Sequence, residues 1–242
     1  MPGGRISMSN IAEASSRMTL YSEHFSPHSA SVRIAIHAKA LDIAILAPPG
    51  GLKSAQYHKI NPLGTIPCLI LDNGTALPES LAIMEYLEEK FPAPPLMPVS
   101  PEARAHVRML TRIGELQIMI QSAELIALGD MQPRDEAAAA HRLTRMVRGL
   151  AALQNNLSGE DFAAGRHLTL ADCQLAPALY GVPIAAGAIM DRDLIGAYPK
   201  IARYIESSRR HPAVERVLNE MAAALTPKGA PVRKKDMSDD MR

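Results

Sequence analysis

The sequence predicts a small α/β domain followed by an all-helical domain, and three observations support that prediction. A strand, a helix and a second strand fit between residues 18 and 47, the spacing of a crossover unit in parallel sheet. Five prolines fall within the eleven residues 91–101, as in an extended linker. Beyond the linker, apolar residues recur at helical spacing. The expected domains are therefore 18–95 and 96–226.

Composition and charge exclude several classes of protein. The 242-residue chain has a net charge of +1, which gives no basis for binding nucleic acid or an anionic membrane. No apolar run reaches the roughly 18 residues of a membrane span. Cys68 and Cys173 have no zinc-site or disulfide spacing, so we expect no metal and a cytoplasmic protein with reduced thiols. Polar residues 1–17 and 227–242 are expected to be a disordered leader and tail.

The first domain opens with a strand over 18–22 and a helix over 29–41, with Ser26 in the turn between them. Unpaired N–H groups and the helix dipole favour an anion at this place. Ser26 or Ser29 caps the helix, or the Ser26 hydroxyl donates a hydrogen bond to a thiolate or other anion. This stretch alone leaves both interpretations open.

A strand over 43–47 and a short helix over 53–59 come next. Turn signals then precede a strand over 68–71, which Pro67 introduces. A proline at this position in mid-domain is unusual and indicates an edge residue or a cis bond. A cis bond would turn the main chain of Ile66 outward, where it can pair with an extended ligand.

A brief fourth strand at 75–76 and a helix over 81–90 complete the predicted domain. Glu79 and Ser80 stand at the start of that helix. Ser80 is expected to be its N-cap, and the free N–H groups beside it are suited to a carboxylate ligand.

The second domain shows helical patterns throughout, over 102–128, 134–157, 175–189, 198–210 and 212–225. Thr169 and Asp172 match a capping box ahead of the third of these. Pro177 and Pro183 predict that the third helix is kinked or broken.

These motifs, in this order and spacing, resemble those of the glutathione transferases from about Met18 to Leu225. The first half is similar to the thioredoxin-like glutathione-binding domain, and the sequence is most similar to the zeta class. The motifs that carry the resemblance are Leu20-Tyr-Ser followed by Ser-x-x-Ser, Val32-Arg-Ile-Ala, Asn61-Pro-x-Gly-x-Ile-Pro67, Ser80-Leu-Ala-Ile-x-Glu-Tyr-Leu-Glu88 and Leu168-Thr-Leu-Ala-Asp172.

The resemblance implies a glutathione site at the turn and the two segments described above. It makes Ser26 the catalytic group that hydrogen-bonds the glutathione sulfur. Pro67 would be the cis-proline of the site, and the main chain of Ile66 would pair with the cysteinyl part. Glu79 and Ser80 would bind the γ-glutamyl end. The resemblance also implies glutathione as cosubstrate and a homodimer.

Four further side chains are weighed for this site. Lys53 is the expected contact for the glycine carboxylate of glutathione, whereas Lys39 is expected to be a solvated or structural charge at a helix end. His28 and Gln117 are expected substrate or auxiliary residues, and Gln117 matches a glutamine of the zeta class.

The implied activity is that of a glutathione transferase acting on an electrophilic apolar or aromatic substrate. A hydrogen bond worth about 1.5–3 kcal/mol lowers a thiol pKa by roughly one to two units. The alternatives are a glutathione-dependent cis–trans isomerase of maleylacetoacetate or maleylpyruvate type, and a non-catalytic binding protein of this fold. The isomerase ranks second because Ser26-Pro-His-Ser29 replaces the zeta-class Ser-Ser-Cys-Ser, and Ile184 stands where an arginine holds the substrate carboxylate.

Overall fold

The computed structural model describes residues 18–190 and 192–225. The predicted leader, 1–17, and tail, 227–242, lie outside these ranges. Within them the predicted fold is confirmed, a small mixed sheet with helices followed by a helical domain. None of the helices in the described ranges is long and apolar enough to cross a membrane.

The first domain alternates strands and helices and forms one four-stranded sheet. The strand order is β2-β1-β3-β4, with β1 parallel to β2 and the other two pairs antiparallel. The elements are β1 (Thr19–Tyr21), α1 (Pro27–Ala38), β2 (Ala44–Leu46), α2 (Ala55–Ile60), β3 (Cys68–Ile70), β4 (Ala76–Pro78) and α3 (Ser80–Lys90).

The second domain is helical, and its first long stretch runs through a π-helical turn without a break. Its elements are α4 (Pro101–Ile113), the π-helical turn Gly114–Met119, α5 (Ile120–Gly129), α6 (Glu136–Asn156), α7 (Leu170–Ile189), α8 (Pro199–Ser208) and α9 (Pro212–Leu225).

Helix α7 is expected from the sequence to be kinked or broken, and the structure contradicts the break. It runs unbroken through Pro177 and Pro183 and begins at Leu170, directly after the predicted capping box. That box is confirmed: the Asp172 carboxylate accepts from the Thr169 N–H at 2.7 Å and also from the Ala163 N–H at 2.7 Å. Burial of nearly every residue in the first half of α7 stabilises a helix that two missing N–H donors would otherwise weaken.

A buried ion pair fixes the linker to the end of α1. The Lys39 ammonium is 2.7 Å from Glu88 of α3 and donates to the carbonyls of Phe91 at 2.7 Å and Pro94 at 2.8 Å. The Glu88 carboxylate in turn accepts from the Leu96 N–H at 3.0 Å. All three ammonium donors thus have partners, and the structural role expected for Lys39 is confirmed.

We predict that Lys39→Met lowers the free energy of unfolding by about 3 kcal/mol, because it leaves the Glu88 carboxylate without its cation in a mostly buried place. Urea titration at a fixed protein concentration measures the loss. Lys90→Met removes the partner of Asp72 on the surface and serves as the control. Equal urea midpoints for Lys39→Met and wild type would contradict a structural role for the pair.

Candidate active site

The register of the sheet brings the predicted site segments to one edge. Tyr21, the last residue of β1, lies opposite Leu46 at the end of β2 and Cys68 at the start of β3. Cys68 in turn lies opposite Pro78, the last residue of β4. The turn after β1, the approach to β3 and the start of α3 therefore meet at this edge. We call residues 22–26, the segment between β1 and α1, the serine turn.

Ser26 is the N-cap of α1, and its Oγ accepts a hydrogen bond from the Ser29 N–H at 3.2 Å. The helix therefore starts at Pro27, two residues before the predicted start. Because Oγ is the acceptor in the capping bond, its own proton remains available to donate. Ser26 is almost fully buried, while the preceding Phe25 is exposed.

The main chain of Ile66 is presented at the same edge. The Ile66–Pro67 peptide bond is cis, and Ile66 lies two residues before Cys68, the first residue of β3 that pairs with β1. Among the described residues, its N–H and C=O have no hydrogen-bond partner. The preceding Thr65 carbonyl is held by the Tyr57 hydroxyl at 2.6 Å and the Asn61 amide at 2.9 Å. This support fixes a segment whose own donor and acceptor are unpaired.

The start of α3 corrects the expected N-cap. Glu79, not Ser80, holds the cap position, and Ser80 is already the first helical residue. Glu79 has φ +74°, a left-handed conformation that is unusual for a residue other than glycine. No side chain caps this helix, whereas serines cap α1, α2 and α4. Its first N–H groups are thus available to a carboxylate.

His28 lies where the two domains face each other. Burial lowers the pKa of His28, and the nearby carboxylates of Glu115 and Glu79 oppose that shift. Glu115 belongs to the π-helical turn and is paired with Arg112. Because the pKa is lowered, His28 is neutral at neutral pH and can donate or accept a hydrogen bond.

Lys53 and Gln117 differ in their surroundings: Lys53 is exposed to solvent, and Gln117 packs against a helix of the second domain. Lys53 is exposed in the segment after β2 and has no ion-pair partner among the described residues. Gln117 packs instead against Gly149 of α6, and its amide oxygen is 3.5 Å from the Arg145 guanidinium. The contacts of Gln117 thus lie with α6, and no contact joins it to Ser26.

A cavity of about 620 Å³ lies at the opposite, C-terminal end of α1, and none of the predicted site residues lines it. It is bounded by the linker, the start of α4 and the loop before α7, with Ala38, His106, Phe162, His167 and His211 among its lining residues.

Sequence reasoning missed two residues that shape the site. Arg33 is fully buried beneath the serine turn, and Glu115 comes from the helical domain to face His28. A signal for Arg33 was present, since an arginine inside the dense apolar run of α1 must find buried partners. No local pattern indicates Glu115, because only the packing of the domains brings it to His28.

Family models match both domains of the chain. The glutathione S-transferase N-terminal domain model matches residues 20–95, and the C-terminal domain model matches residues 136–207.

Three similar relatives carry different names. A maleylacetoacetate isomerase of Pseudomonas aeruginosa is 32% identical over 203 residues, covering 81% of this chain and 93% of the relative. Glutathione S-transferase Z1 of Arabidopsis thaliana is 32% identical over 222 residues, covering 88% and 96%. A stringent starvation protein A homolog of Coxiella burnetii is 34% identical over 166 residues, covering 69% and 76%.

Among solved structures, a glutathione S-transferase of Methylobacillus flagellatus with glutathione bound superposes with a TM-score of 0.70. The match covers 83% of this chain and 98% of that chain at 23% identity, and it supports the fold.

We predict that His28 makes stability fall on acidification. Its folded pKa lies below its unfolded value near 6.5, so the unfolded chain binds the proton more readily. The contribution of neutral His28 to the free energy of unfolding is complete above about pH 6.5 and is lost as the pH falls below that value. Urea unfolding at pH 7.5 and 5.5 should therefore show a smaller loss for His28→Gln than for wild type. His141→Gln, on the exposed face of α6, is the control. Equal losses in His28→Gln and wild type would refute the prediction.

Proposed function

We propose that this chain, which belongs to the glutathione S-transferase family, is a glutathione transferase that activates the thiol of bound glutathione through Ser26. The observation that carries the proposal is the placement of Ser26. Its hydroxyl lies at the N-terminus of α1, at the sheet edge where the unpaired Ile66 main chain and the uncapped start of α3 also lie.

In this proposal each part of glutathione meets a group suited to it. The main chain of Ile66 pairs with the cysteinyl residue, next to the buried Pro67. The γ-glutamyl carboxylate uses the free N–H groups of Ser80 and its neighbours, and the exposed Glu79 takes the ammonium group. The exposed ammonium of Lys53 is proposed for the glycine carboxylate.

Chemistry follows from the charge that develops on sulfur. The thiol gives its proton to solvent, and the Ser26 hydroxyl donates a hydrogen bond to the thiolate. The positive end of the α1 dipole stabilises the same charge. The thiolate then attacks the electrophilic carbon of the second substrate and forms the carbon–sulfur bond. The leaving group, or a conjugated acceptor within the substrate, takes the displaced electron pair.

In this proposal the helical domain lies across from the thiol, and the polar contacts are Glu115 of that domain and His28 of α1. Because Arg112 is paired with Glu115 and His28 is neutral, neither of these two described side chains offers a free cation to a dianion. That balance supports an apolar or aromatic electrophile. A homodimer and a cytoplasmic location remain predictions.

The second candidate is isomerisation of a maleyl diacid, which is favoured by the identity to a maleylacetoacetate isomerase. The position where such isomerases place an arginine holds Ile184, which is exposed on α7. Turnover of maleylacetoacetate that exceeds turnover of aromatic electrophiles would establish the isomerase over the transferase.

The third candidate binds glutathione-like ligands or partners without turnover. The identity to a stringent starvation protein A homolog brings this class into consideration. Calorimetry with glutathione, followed by a panel of electrophiles, separates the candidates. Binding without turnover supports this third class, and absence of binding contradicts both enzymes.

We predict that Ser26→Ala raises the pKa of the bound glutathione thiol by roughly one to two units and lowers turnover at neutral pH by about ten- to a hundredfold. The cause is the loss of the hydroxyl that is proposed to donate to sulfur. Thiolate absorbance as a function of pH measures the thiol pKa, steady-state rates measure turnover, and calorimetry measures glutathione affinity. Glutathione affinity should change much less than turnover.

Ser100→Ala is a matched control for this experiment. Ser100 caps α4 with the same geometry as Ser26, accepting from the Ala103 N–H at 3.2 Å ahead of a proline. Each substitution should cost about 1 kcal/mol of stability as a lost cap. An equal loss of turnover in both variants would mean that Ser26 acts only as a cap.

A further inference from the structure

Arg33 is a fully buried cation in the middle of α1, with none of its surface exposed. Its neighbours Val32 and Ile34 are also fully buried. Removing a guanidinium from water costs several kcal/mol, roughly, unless hydrogen bonds and an opposite charge compensate. The partners of Arg33 therefore indicate what the residue is there to hold.

Three successive residues of the serine turn are the partners of this guanidinium. Nη1 donates to the Ser22 hydroxyl and to the Glu23 carbonyl, both at 2.9 Å. Nη2 donates to the His24 carbonyl at 3.1 Å. A planar guanidinium has a fixed donor geometry, so these bonds set the relative positions of the three residues.

The same turn determines where Ser26 lies. The Glu23 carbonyl that accepts from Arg33 also accepts the Ser26 N–H at 3.2 Å. Ser26 then caps the helix on which Arg33 lies two turns later. Arg33 therefore holds the serine turn, the turn holds Ser26, and Ser26 caps the helix that carries Arg33. Displacement of any of these groups moves the Ser26 hydroxyl.

The charge partner of Arg33 comes from the last helix. The Glu220 carboxylate of α9 lies 3.3 Å from Arg33 Nε, as an ion pair without the alignment of a hydrogen bond. The same carboxylate is 3.1 Å from Arg216 on its exposed side and 3.5 Å from His24. His37 of α1 also faces this group, and burial, followed by Arg216, lowers its pKa. Glu220 is the only acidic group that contacts Arg33 among the described residues.

We propose that Arg33 is a positioning residue for Ser26 and that Glu220 holds Arg33 in place, so that α9 contributes to activation of glutathione. The proposal rests on the proposed function of Ser26. Neither side chain touches glutathione in this scheme. Both act by fixing the serine turn, and small displacements of a hydrogen-bond donor from an anion weaken it strongly.

The test uses Glu220→Gln in the full chain, because this change keeps the size of the side chain and removes its charge. We expect the pKa of the bound glutathione thiol to rise by about half a unit to one unit, so turnover at neutral pH falls about three- to tenfold. Glutathione affinity should change less than about twofold, and the rate should recover toward wild type at alkaline pH. A purely structural role would not give recovery with pH.

Two further variants keep the test decisive. Arg216→Gln removes the exposed partner of Glu220 without touching Arg33 and should leave the thiol pKa unchanged. Arg33→Lys keeps a cation that cannot span the three acceptors, and it should lower turnover at least as much as Glu220→Gln. Where Arg33→Lys does not fold, Glu220→Asp replaces it, and retention of the negative charge should restore most of the activity lost in Glu220→Gln.

A double-mutant cycle separates this inference from the proposed function. If Arg33 and Glu220 act through Ser26, Glu220→Gln should not raise the thiol pKa further in the Ser26→Ala background. An additive shift, or an unchanged thiol pKa in Glu220→Gln alone, overturns the inference. If Ser26→Ala itself leaves the thiol pKa unchanged, the proposed role of Ser26 fails first.

Discussion

The burial of α1 on all sides is the constraint on which the rest of the structure depends. Every residue from Ser29 to Ile36 is buried, whereas a helix at the surface of a domain usually buries one face. The first domain covers one side through α3, and the second covers the other through α7 and α9. The two domains therefore share this helix, and neither buries it alone.

Two cations in or directly after this buried helix need internal partners, and both have them. Towards its N-terminus Arg33 binds the serine turn and Glu220 of α9. Just beyond its C-terminus Lys39 binds Glu88 and the carbonyls of the linker. The two cations fix α1 along its length, and the position of its N-terminus follows from contacts far from the site.

The sequence predicts the elements whose signals are local. Turn residues, the capping box at Thr169 and the proline linker correctly indicate the strands, most helix starts and the change to an all-helical domain. Two local signals are outweighed by surrounding structure. The prolines of α7 lie in a helix that burial stabilises. The positive φ of Glu79 ends the turn before α3 one residue earlier than predicted, so Ser80 is already helical.

The parts that sequence alone does not yield depend on residues distant in the chain. The partner of Arg33 is in the last helix, and Glu115 reaches His28 only through the packing of the two domains. The contacts that Gln117 makes with α6 are likewise not visible in the sequence, and its expected role at the site stays a prediction. Candidate residues at the sheet edge were recognisable because strand ends bring them together, and those contributed by packing were not.

Capping and the proposed catalytic role of Ser26 are compatible, because they use different parts of the same hydroxyl. The capping bond uses an acceptor lone pair of Oγ, so the hydroxyl proton is the part that remains for a ligand. The cap restricts the side chain to the rotamer in which Oγ faces the first N–H groups of the helix. In the proposed function, a thiolate drawn to those same N–H groups meets a donor that the cap already holds in place. In the proposed mechanism, the bond that stabilises the helix therefore also orients the hydroxyl towards sulfur.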